Sequence, residues 1–193
     1  MKVRAMVFGT ALLLAMTPAA ARADGLITPF LGGSFGGRTV DAPRVTFGGA
    51  LGFMGAGAFG FELDFGYSPE FFPEDHGDVQ NVVGNLTTVM ANVIVGAPIG
   101  GQSGPGLRPY LTGGVGVLRV RVEDPDDLFE LRSNELGVSF GGGLLGFVSD
   151  NLGIRGDIRY FRNINDYEFD DEFDIDLQDF DFWRATVGVT FRF

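Results

Sequence analysis

The sequence contains no cysteine, one histidine and one tryptophan among 193 residues. The absence of cysteine excludes disulfide bonds, thiolate metal ligands and thiol nucleophiles. Positive charge is also scarce, because 14 Lys and Arg stand against 25 Asp and Glu and give a formal net charge of −11. Nucleic acids and anionic bilayer surfaces attract positively charged proteins, so an acidic excess disfavours binding to either. We therefore expect no nucleic-acid partner and no thiol-based site.

Long apolar runs are missing as well. After residue 24 no stretch reaches the roughly 18 consecutive apolar residues of a transmembrane helix. The chain is nevertheless 45% hydrophobic, with 31 glycines and 20 phenylalanines distributed along it, which argues against disorder. An apolar chain without a membrane helix has few stable forms, and a closed membrane β-barrel is one of them.

The first 23 residues match a secretory signal peptide. Lys2 and Arg4 form a positive start, Ala5 to Met16 is apolar, and Ala21 to Ala23 places small residues where a signal peptidase reads them. The apolar part is too short for a spanning helix, which needs about 20 residues. We expect export, cleavage, and a mature domain over residues 24–193 whose net charge is three units more negative than that of the whole chain.

The remainder of the chain alternates between apolar and polar residues, which is typical of strands because successive side chains point to opposite faces. In the last eleven residues, one face is wholly apolar and the other is small or charged. Eight segments show this pattern, most of them near the roughly 9–11 residues that a tilted membrane strand needs. They are Ile27–Phe35, Val45–Phe53, Phe59–Tyr67, Val89–Gly96, Tyr110–Val122, Leu136–Gly141, Leu152–Tyr160 and Trp183–Phe193.

The connections alternate between short or glycine-rich turns and longer polar loops. The long ones are Gly36–Arg44, Ser68–Gly84, Glu123–Ser133 and Arg162–Asp181. Long loops on one side and short turns on the other are typical of outer-membrane barrels, and an even strand number places both termini with the short turns. The sequence therefore predicts an all-β, eight-stranded antiparallel up-and-down transmembrane barrel in a bacterial outer membrane.

Two details of the strands lead to further expectations. Arg119 and Arg121 share a face with apolar residues of their segment, which indicates either a β-bulge or a position at the membrane interface. Aromatic residues near strand ends fit the girdles at the two membrane surfaces. The candidates are Tyr67, Tyr110, Tyr160 and Trp183.

Several segments resemble the small outer-membrane barrels related to the membrane domain of OmpA, including the OmpX and opacity-protein type. They are Thr28–Phe35, Asn92–Val95, Pro109–Gly116 and the terminal strand Trp183–Phe193. The resemblance covers essentially all of residues 24–193, as a pattern rather than a strict motif. It implies contact with outer-membrane lipid and lipopolysaccharide, and presentation of the terminal Phe193 to the barrel assembly machinery as an assembly signal.

The alternation also directs charged side chains into the barrel. Charges inside a membrane protein must be paired or hydrated. The candidate interior network consists of Glu62, Asp64, Arg155, Asp157, Arg159, Arg184 and Arg192. Two interpretations remain, a salt-bridge network that fills the interior and a gated or narrow pore. An eight-stranded barrel is just wide enough for side chains to fill, which favours the filled interior.

Two patterns imitate catalytic or cofactor sites. Gly55–Gly60 and Gly141–Gly146 have the spacing of a dinucleotide-binding loop, but neither precedes the helix that the pyrophosphate requires. His76 lies near Ser68 and several acids, yet its segment is rich in turn residues and nothing orients a catalytic base. We therefore expect no enzymatic activity, no catalytic residues and no cofactor.

The segment Asn163–Asp181 holds nine acids and no base. A solvated hairpin explains it, and a divalent-cation or partner-binding surface is the sharper alternative, although no spacing matches a defined calcium loop. The densest group, a weak metal-site candidate, is Asp170, Asp171, Glu172, Asp174 and Asp176.

The expected function is that of a non-enzymatic outer-membrane barrel, structural or surface-interacting, with acidic extracellular loops. A narrow channel for water or small ions is the alternative, and a lipid-modifying enzyme is a more remote one. The sequence leaves the extracellular partner open.

Overall fold

The computed structural model describes residues 23–56, 58–72, 83–100, 104–123, 130–164 and 180–193. Every regular element in these ranges is a β-strand, and no helix among them is long and apolar enough to cross a membrane. The strands are β1 (Ala23–Gly36), β2 (Val40–Gly55), β3 (Phe59–Phe72), β4 (Val83–Gly96), β5 (Gly106–Glu123), β6 (Glu130–Phe147), β7 (Leu152–Asn163) and β8 (Asp181–Arg192).

Each strand pairs antiparallel with the next, and β8 pairs with β1 to close the barrel. The closing seam runs from Leu26 opposite Arg192 to Phe35 opposite Trp183. Beyond it, Gly25 and Phe193 exchange two backbone hydrogen bonds of 2.9 and 3.0 Å. Closure leaves the sheet without an edge along this seam, which is the condition for placing a sheet in hydrocarbon. The predicted eight-stranded antiparallel barrel is confirmed.

The outer face of the barrel is a continuous apolar belt. Leu111 is 71% exposed, Phe53 is 62% exposed and Phe61 is 58% exposed. Their strand neighbours Thr112, Gly52 and Glu62 lie on the inner face and are buried. An exposed belt of this size on all eight strands is stable only where hydrocarbon replaces water.

The strands are longer than the alternating segments predict, mostly at the long-loop end. The expected loop Gly36–Arg44 is wrong, because β1 continues to Gly36 and β2 already begins at Val40. Only residues 37–39 form the turn. Gly36 and Gly37 have φ angles of 62° and 75°, a left-handed conformation that glycine adopts without steric cost, and this permits so tight a connection.

Two other expectations for β5 can now be compared with the structure. The register between β4 and β5 is continuous from Val83 opposite Glu123 to Gly96 opposite Tyr110, so a bulge at Arg119 and Arg121 is wrong. Tyr110 is not a girdle residue, since it is only 6% exposed and points inward. It is two residues from inward-facing Thr112 on the same strand, so it shares that face, and its hydroxyl group bonds to Asp157 and Arg155.

The interior is layered along the barrel axis. At the long-loop end, an apolar layer closes the barrel and contains Val40, Phe71, Leu86, Met90, Leu118, Val120, Phe161, Phe180 and Phe182. At the short-turn end, a second apolar layer contains Leu26, Met54, Ile94, Tyr110, Leu145 and Phe147. Between the two lies a band of buried polar and charged side chains.

Adjacent glycines on β2 allow the inner and outer faces to be distinguished by experiment. A Cβ atom at inward Gly48 would contact the backbone oxygen of Phe65 and lie 2.8 Å from the Phe30 ring. A Cβ atom at neighbouring Gly49 would meet nothing closer than the Thr28 backbone oxygen at 3.8 Å. We predict that Gly48→Ala lowers the free energy of unfolding by about 1–3 kcal/mol through overpacking.

Gly49→Ala is the matched control, and its effect should stay within about 0.5 kcal/mol. Urea-induced unfolding of protein refolded into detergent measures both variants. Equal losses for the two would contradict the assignment of Gly48 to the packed interior.

Candidate functional site

The central polar band is built from strands that face each other across the barrel. Glu62 and Asp64 lie on β3, whereas Arg155, Asp157 and Arg159 lie on β7. Residues two apart on a strand share a face, so each strand directs its whole charged set inward. Arg184 reaches the same band from β8, the strand that pairs with β7.

Glu62 is held by two arginines. Arg155 donates from Nη1 to Glu62 Oε2, and Arg159 donates from Nη2 to Glu62 Oε1 at 2.8 Å. The side chains of these three residues are 1–6% exposed. Both oxygens of the carboxylate are therefore occupied by charge-assisted hydrogen bonds, which are stronger than bonds between neutral groups.

Asp64 is held mainly by Arg184. Arg184 donates from Nη2 to both carboxylate oxygens, at 2.7 and 2.8 Å. Arg159 Nη1 lies 3.5 Å from Asp64 Oδ2 and links this pair to Glu62. The two acids of β3 and two arginines of different strands thus form one connected network.

Asp157 sits between the two arginines of its own strand. Arg155 Nε lies 3.1 Å from Asp157 Oδ2, and Arg159 Nε lies 3.1 Å from Asp157 Oδ1. Tyr110 donates its hydroxyl proton to Asp157 Oδ2 at 2.8 Å and accepts a hydrogen bond from Arg155 Nε at 2.6 Å. Sequence reasoning missed Tyr110 here, although its parity with Thr112 places it on the inner face of β5.

Aromatic rings cover the arginine faces that carboxylates leave open. The Arg184 guanidinium carbon lies 5.0 Å from the Phe30 ring centre and 4.7 Å from that of Phe161. Arg184 Nε has no hydrogen-bond partner among the described residues, and attraction to the rings partly offsets the cost of burying it. Arg155 lies over the Tyr110 ring in the same way, at 4.8 Å.

The central network balances its charge with three acids and three bases, Glu62, Asp64, Asp157, Arg155, Arg159 and Arg184. A gap lined by four of these side chains, Asp64, Arg155, Asp157 and Arg159, together with Thr28, Phe30 and Thr186, is too narrow for a water molecule. Ion pairs buried without water depend on complete pairing, because an unpaired charge there is strongly unfavourable.

Arg192 belongs to a separate cluster at the short-turn end. It lies 3.9 Å from Asp24 and 3.7 Å from Asp150, while Arg108 lies 2.8 Å from Asp24. The Phe147 ring lies between the two arginines, 4.1 Å from Arg192 and 4.8 Å from Arg108. Grouping Arg192 with the central charges was therefore too simple, and Arg108, Asp24 and Phe147 were missed. Only Arg108 carried a sequence signal, since it shares parity with Tyr110 on β5.

The remaining candidates from the sequence are Ser68, His76 and the acidic metal-site group. Ser68 lies in a buried row of hydroxyls with Thr46, at 2.6 Å, and Ser34, which lies 2.8 Å from Thr46. In the described part of the chain, no group of three or more His, Asp or Glu side chains could hold a metal. His76 and the acids Asp170, Asp171, Glu172, Asp174 and Asp176 lie outside the described residues.

Phe193 follows the end of β8 at the short-turn end. Its ring is 70% exposed on the outer face, in line with Phe191 and Val189 of the apolar belt. Its backbone forms the two hydrogen bonds to Gly25 that extend the closing seam. The ring and the backbone of Phe193 therefore have separable roles.

The pair Arg184 and Asp64 provides a test of the central network. Arg184→Met leaves Asp64 with Arg159 as its remaining cationic neighbour, and we predict a loss of about 3–5 kcal/mol in the free energy of unfolding. Asp64→Asn removes the carboxylate that pairs with Arg184, so Arg184 is left buried without its counter-charge. The double variant should lose less than the sum of the two, with a coupling of about 0.5–3 kcal/mol.

Urea-induced unfolding of the refolded variants gives these values. Arg162→Met is the control, because Arg162 is an exposed arginine on β7 and its loss should cost no more than about 0.5 kcal/mol. Strict additivity of the two interior substitutions would show that the pair is not coupled.

Solved structures of outer-membrane barrels share this fold. The N-terminal β-barrel domain of OprF from Pseudomonas aeruginosa is 22% identical with a TM-score of 0.59, covering 88% of this chain and 97% of that chain. Neisserial surface protein A is 14% identical with a TM-score of 0.63, covering 89% and 99%. Ail, the attachment invasion locus protein of Yersinia pestis, crystallised with the heparin analogue sucrose octasulfate, is 13% identical with a TM-score of 0.54, covering 89% and 98%.

At these low identities, the likeness shows a common fold and does not assign any neighbour's function to this chain. No curated protein matches the chain in sequence. A family model described as the outer membrane protein beta-barrel domain matches residues 8–193. With its closed eight-stranded sheet, apolar belt and charged interior, the chain belongs to the outer membrane protein β-barrel domain family.

Proposed function

We propose that this protein is a non-conducting, non-enzymatic barrel that anchors a rigid β-structured platform and its acidic loops at the cell surface. The observation that carries the proposal is the filled interior. Membership of the family places the barrel in the outer membrane, with its apolar belt against lipid. The proposal concerns what such a barrel does once it is there.

Three successive layers obstruct the path along the barrel axis. An ion would first meet the apolar layer that contains Phe71, Phe161 and Phe182, each with 0% exposure. It would then meet the charge-balanced central network, and finally the apolar layer around Leu145 and Phe147. Moving an ion through an apolar layer costs desolvation, because its side chains offer no polar group in place of water. At the short-turn end, Arg108 and Arg192 lie over the Phe147 ring and add buried positive charge to the obstruction. This favours a structural or surface role over the channel alternative.

The long-loop end supports the surface part of the proposal. On β5 the apolar belt ends at Val117, but the strand continues to Glu123, about 20 Å further at 3.3 Å per residue. On β4 the belt ends at Val89, and the strand extends beyond it to Val83, toward the long loops. The apolar layer at this end packs the inner side of these extensions. A packed, paired extension of this kind can hold the connecting loops in fixed positions above the membrane.

Conductance tests the filled interior directly. Refolded protein in a planar bilayer should give no steady single-channel steps, because the layers leave no continuous water path. The folded state is verified by the shift in gel mobility between unheated and boiled samples. A general diffusion porin reconstituted in the same lipid serves as the positive control. Reproducible ohmic steps from the folded protein would overturn the proposal in favour of a narrow channel.

We also propose that the ring of Phe193 is the assembly signal, as the resemblance to small outer-membrane barrels implies. Phe193→Ala keeps the two backbone hydrogen bonds to Gly25 and removes only the ring. Phe191→Ala is the matched control, since Phe191 is 48% exposed on the same face but is not terminal. We predict that Phe193→Ala lowers the outer-membrane yield in cells more than Phe191→Ala does.

Both variants should refold in detergent with similar stability, so a difference in cells reports assembly rather than folding. Fractionated membranes and quantitative blotting measure the yield. Equal yields from the two variants would remove the special role of the terminal aromatic.

A further inference from the structure

One proline lies where a paired strand does not normally tolerate it. Four prolines lie within the described strands, Pro29, Pro43, Pro69 and Pro109. Pro43 and Pro69 lie at irregularities of the β1–β2 and β3–β4 pairing, which are permitted positions. Pro109 lies opposite Ala97, beyond the last residue of β4. Among these four, only Pro29 lies in the middle of a membrane-spanning strand, between regularly paired residues.

The backbone of Pro29 faces β8, the strand that closes the barrel. Gly25 and Phe193 exchange backbone hydrogen bonds across the closing seam. In an antiparallel strand, every second residue directs its backbone groups to the same neighbouring strand. Pro29 lies four residues after Gly25, so its backbone is directed to β8 as well. A proline nitrogen carries no hydrogen, and the seam therefore lacks a donor at this position.

The missing donor affects a carbonyl group at membrane depth. The pairing of β1 with β8 is interrupted after Ile27 and resumes at Phe30 opposite Gly188. Within the interruption, the register places Val189 opposite Pro29. Val189 is exposed on the outer face and belongs to the apolar belt. Its carbonyl group cannot receive a hydrogen bond from Pro29, and hydrocarbon supplies no replacement, so the seam is weakened here.

Two threonines bridge the interruption on the inner face. Thr28 and Thr190 lie opposite each other in this register, and their hydroxyl oxygens are 2.8 Å apart. Both side chains are buried. Inward Gly188 lets the strands approach closely, because a Cβ atom there would lie 3.0 Å from Thr28 Cγ2. A side-chain hydrogen bond therefore holds the seam where the backbone ladder is interrupted. We call Thr28 and Thr190 the threonine clasp.

The central charge network lies directly behind this part of the seam. Thr28, Phe30 and Gly188 line the same narrow gap as Arg155 and Asp157. The gap is too narrow for water while the seam is closed. Separation of β1 from β8 at Pro29 would connect this gap to the outer face of the barrel. The interruption therefore lies where an opening reaches the buried ion pairs.

We propose that this barrel opens at the β1–β8 seam, at Pro29, and that the threonine clasp keeps the seam closed. In the described strands, every other pair of neighbours is paired without interruption through the apolar belt. Separating any of those pairs breaks a complete ladder. Opening at Pro29 is a local and reversible separation, of the kind through which folded proteins exchange their buried amide hydrogens. The closed state remains the resting state, so the inference does not depend on the proposed function.

Amide hydrogen exchange of the refolded barrel in detergent micelles tests the proposal, with single amides followed by NMR. Leu31 and Val187 represent the closing seam, where they are opposite each other. Ala91 and Val115 represent the uninterrupted β4–β5 pair. We expect roughly fivefold lower protection at Leu31 and Val187, because one net hydrogen bond changes an opening equilibrium by about that factor. This comparison needs no variant.

A proline substitution tests the cause of the opening. Pro29→Ala returns the missing donor and should raise the protection of Leu31 and Val187 roughly fivefold. Pro109→Ala is the matched control, because it makes the same substitution away from the closing seam. It should leave the protection of the two seam amides within about twofold.

Threonine substitutions test the clasp. The double variant T28V/T190V keeps the side-chain shapes and removes both hydroxyl groups, and it should lower the seam protection roughly fivefold. Thr112→Val is the control, since the Thr112 hydroxyl is buried without a hydrogen-bond partner among the described residues. We expect this control to leave the seam protection within about twofold.

Three outcomes would overturn the proposal. The first is equal protection of the closing seam and the β4–β5 pair in the unmodified protein. The second is unchanged seam protection in the Pro29→Ala variant, whose folded state is verified by heat-dependent gel mobility. The third is an equal loss of seam protection in T112V and in T28V/T190V, since this would show a general loosening of the interior rather than release of a clasp.

Discussion

The need to pair every backbone amide and carbonyl group in hydrocarbon governs the rest of this structure. Strands can satisfy it only by closing on themselves, and the β1–β8 seam with its Gly25–Phe193 extension completes that closure. Closure at eight strands fixes a narrow interior. Every inward position must then be small, or must fit with the side chains that arrive from the opposite wall.

The interior is filled by charged side chains as well as by apolar ones. Arginine side chains are long enough to reach across the lumen. Those of β7 and β8 form charge-assisted hydrogen bonds with carboxylates of β3 on the opposite wall. Rings such as Phe30 and Phe161 stack on the guanidinium faces and exclude water. The pairs stabilise the fold only as a complete set, because removal of one partner leaves a buried charge. The result, among the described residues, is a lumen occupied by paired side chains.

The outer face is organised by depth. The apolar belt meets acyl chains, and the rings of Phe140, Tyr160 and Trp183 pack together toward its long-loop border. Among the described residues, the arginines of the lumen are paired with acids or lie over aromatic rings, whereas Arg119 and Arg162 are exposed on the outer face. Which face of the strand carries an arginine therefore decides its surroundings.

The sequence by itself determined the strand number, the alternation of faces and the seven charges directed inward, because each follows from the period of two along a strand. Strand ends and the first loop were less predictable, since strands outside the membrane no longer need an apolar outer face. Only the tertiary structure decided that Arg184 pairs with Asp64, that Arg192 joins Asp24 and Arg108 at the short-turn end, and that the Tyr110 hydroxyl group bonds to Asp157. Those contacts join distant strands across the lumen, and their heights depend on the stagger and tilt of the closed barrel, which no local pattern encodes.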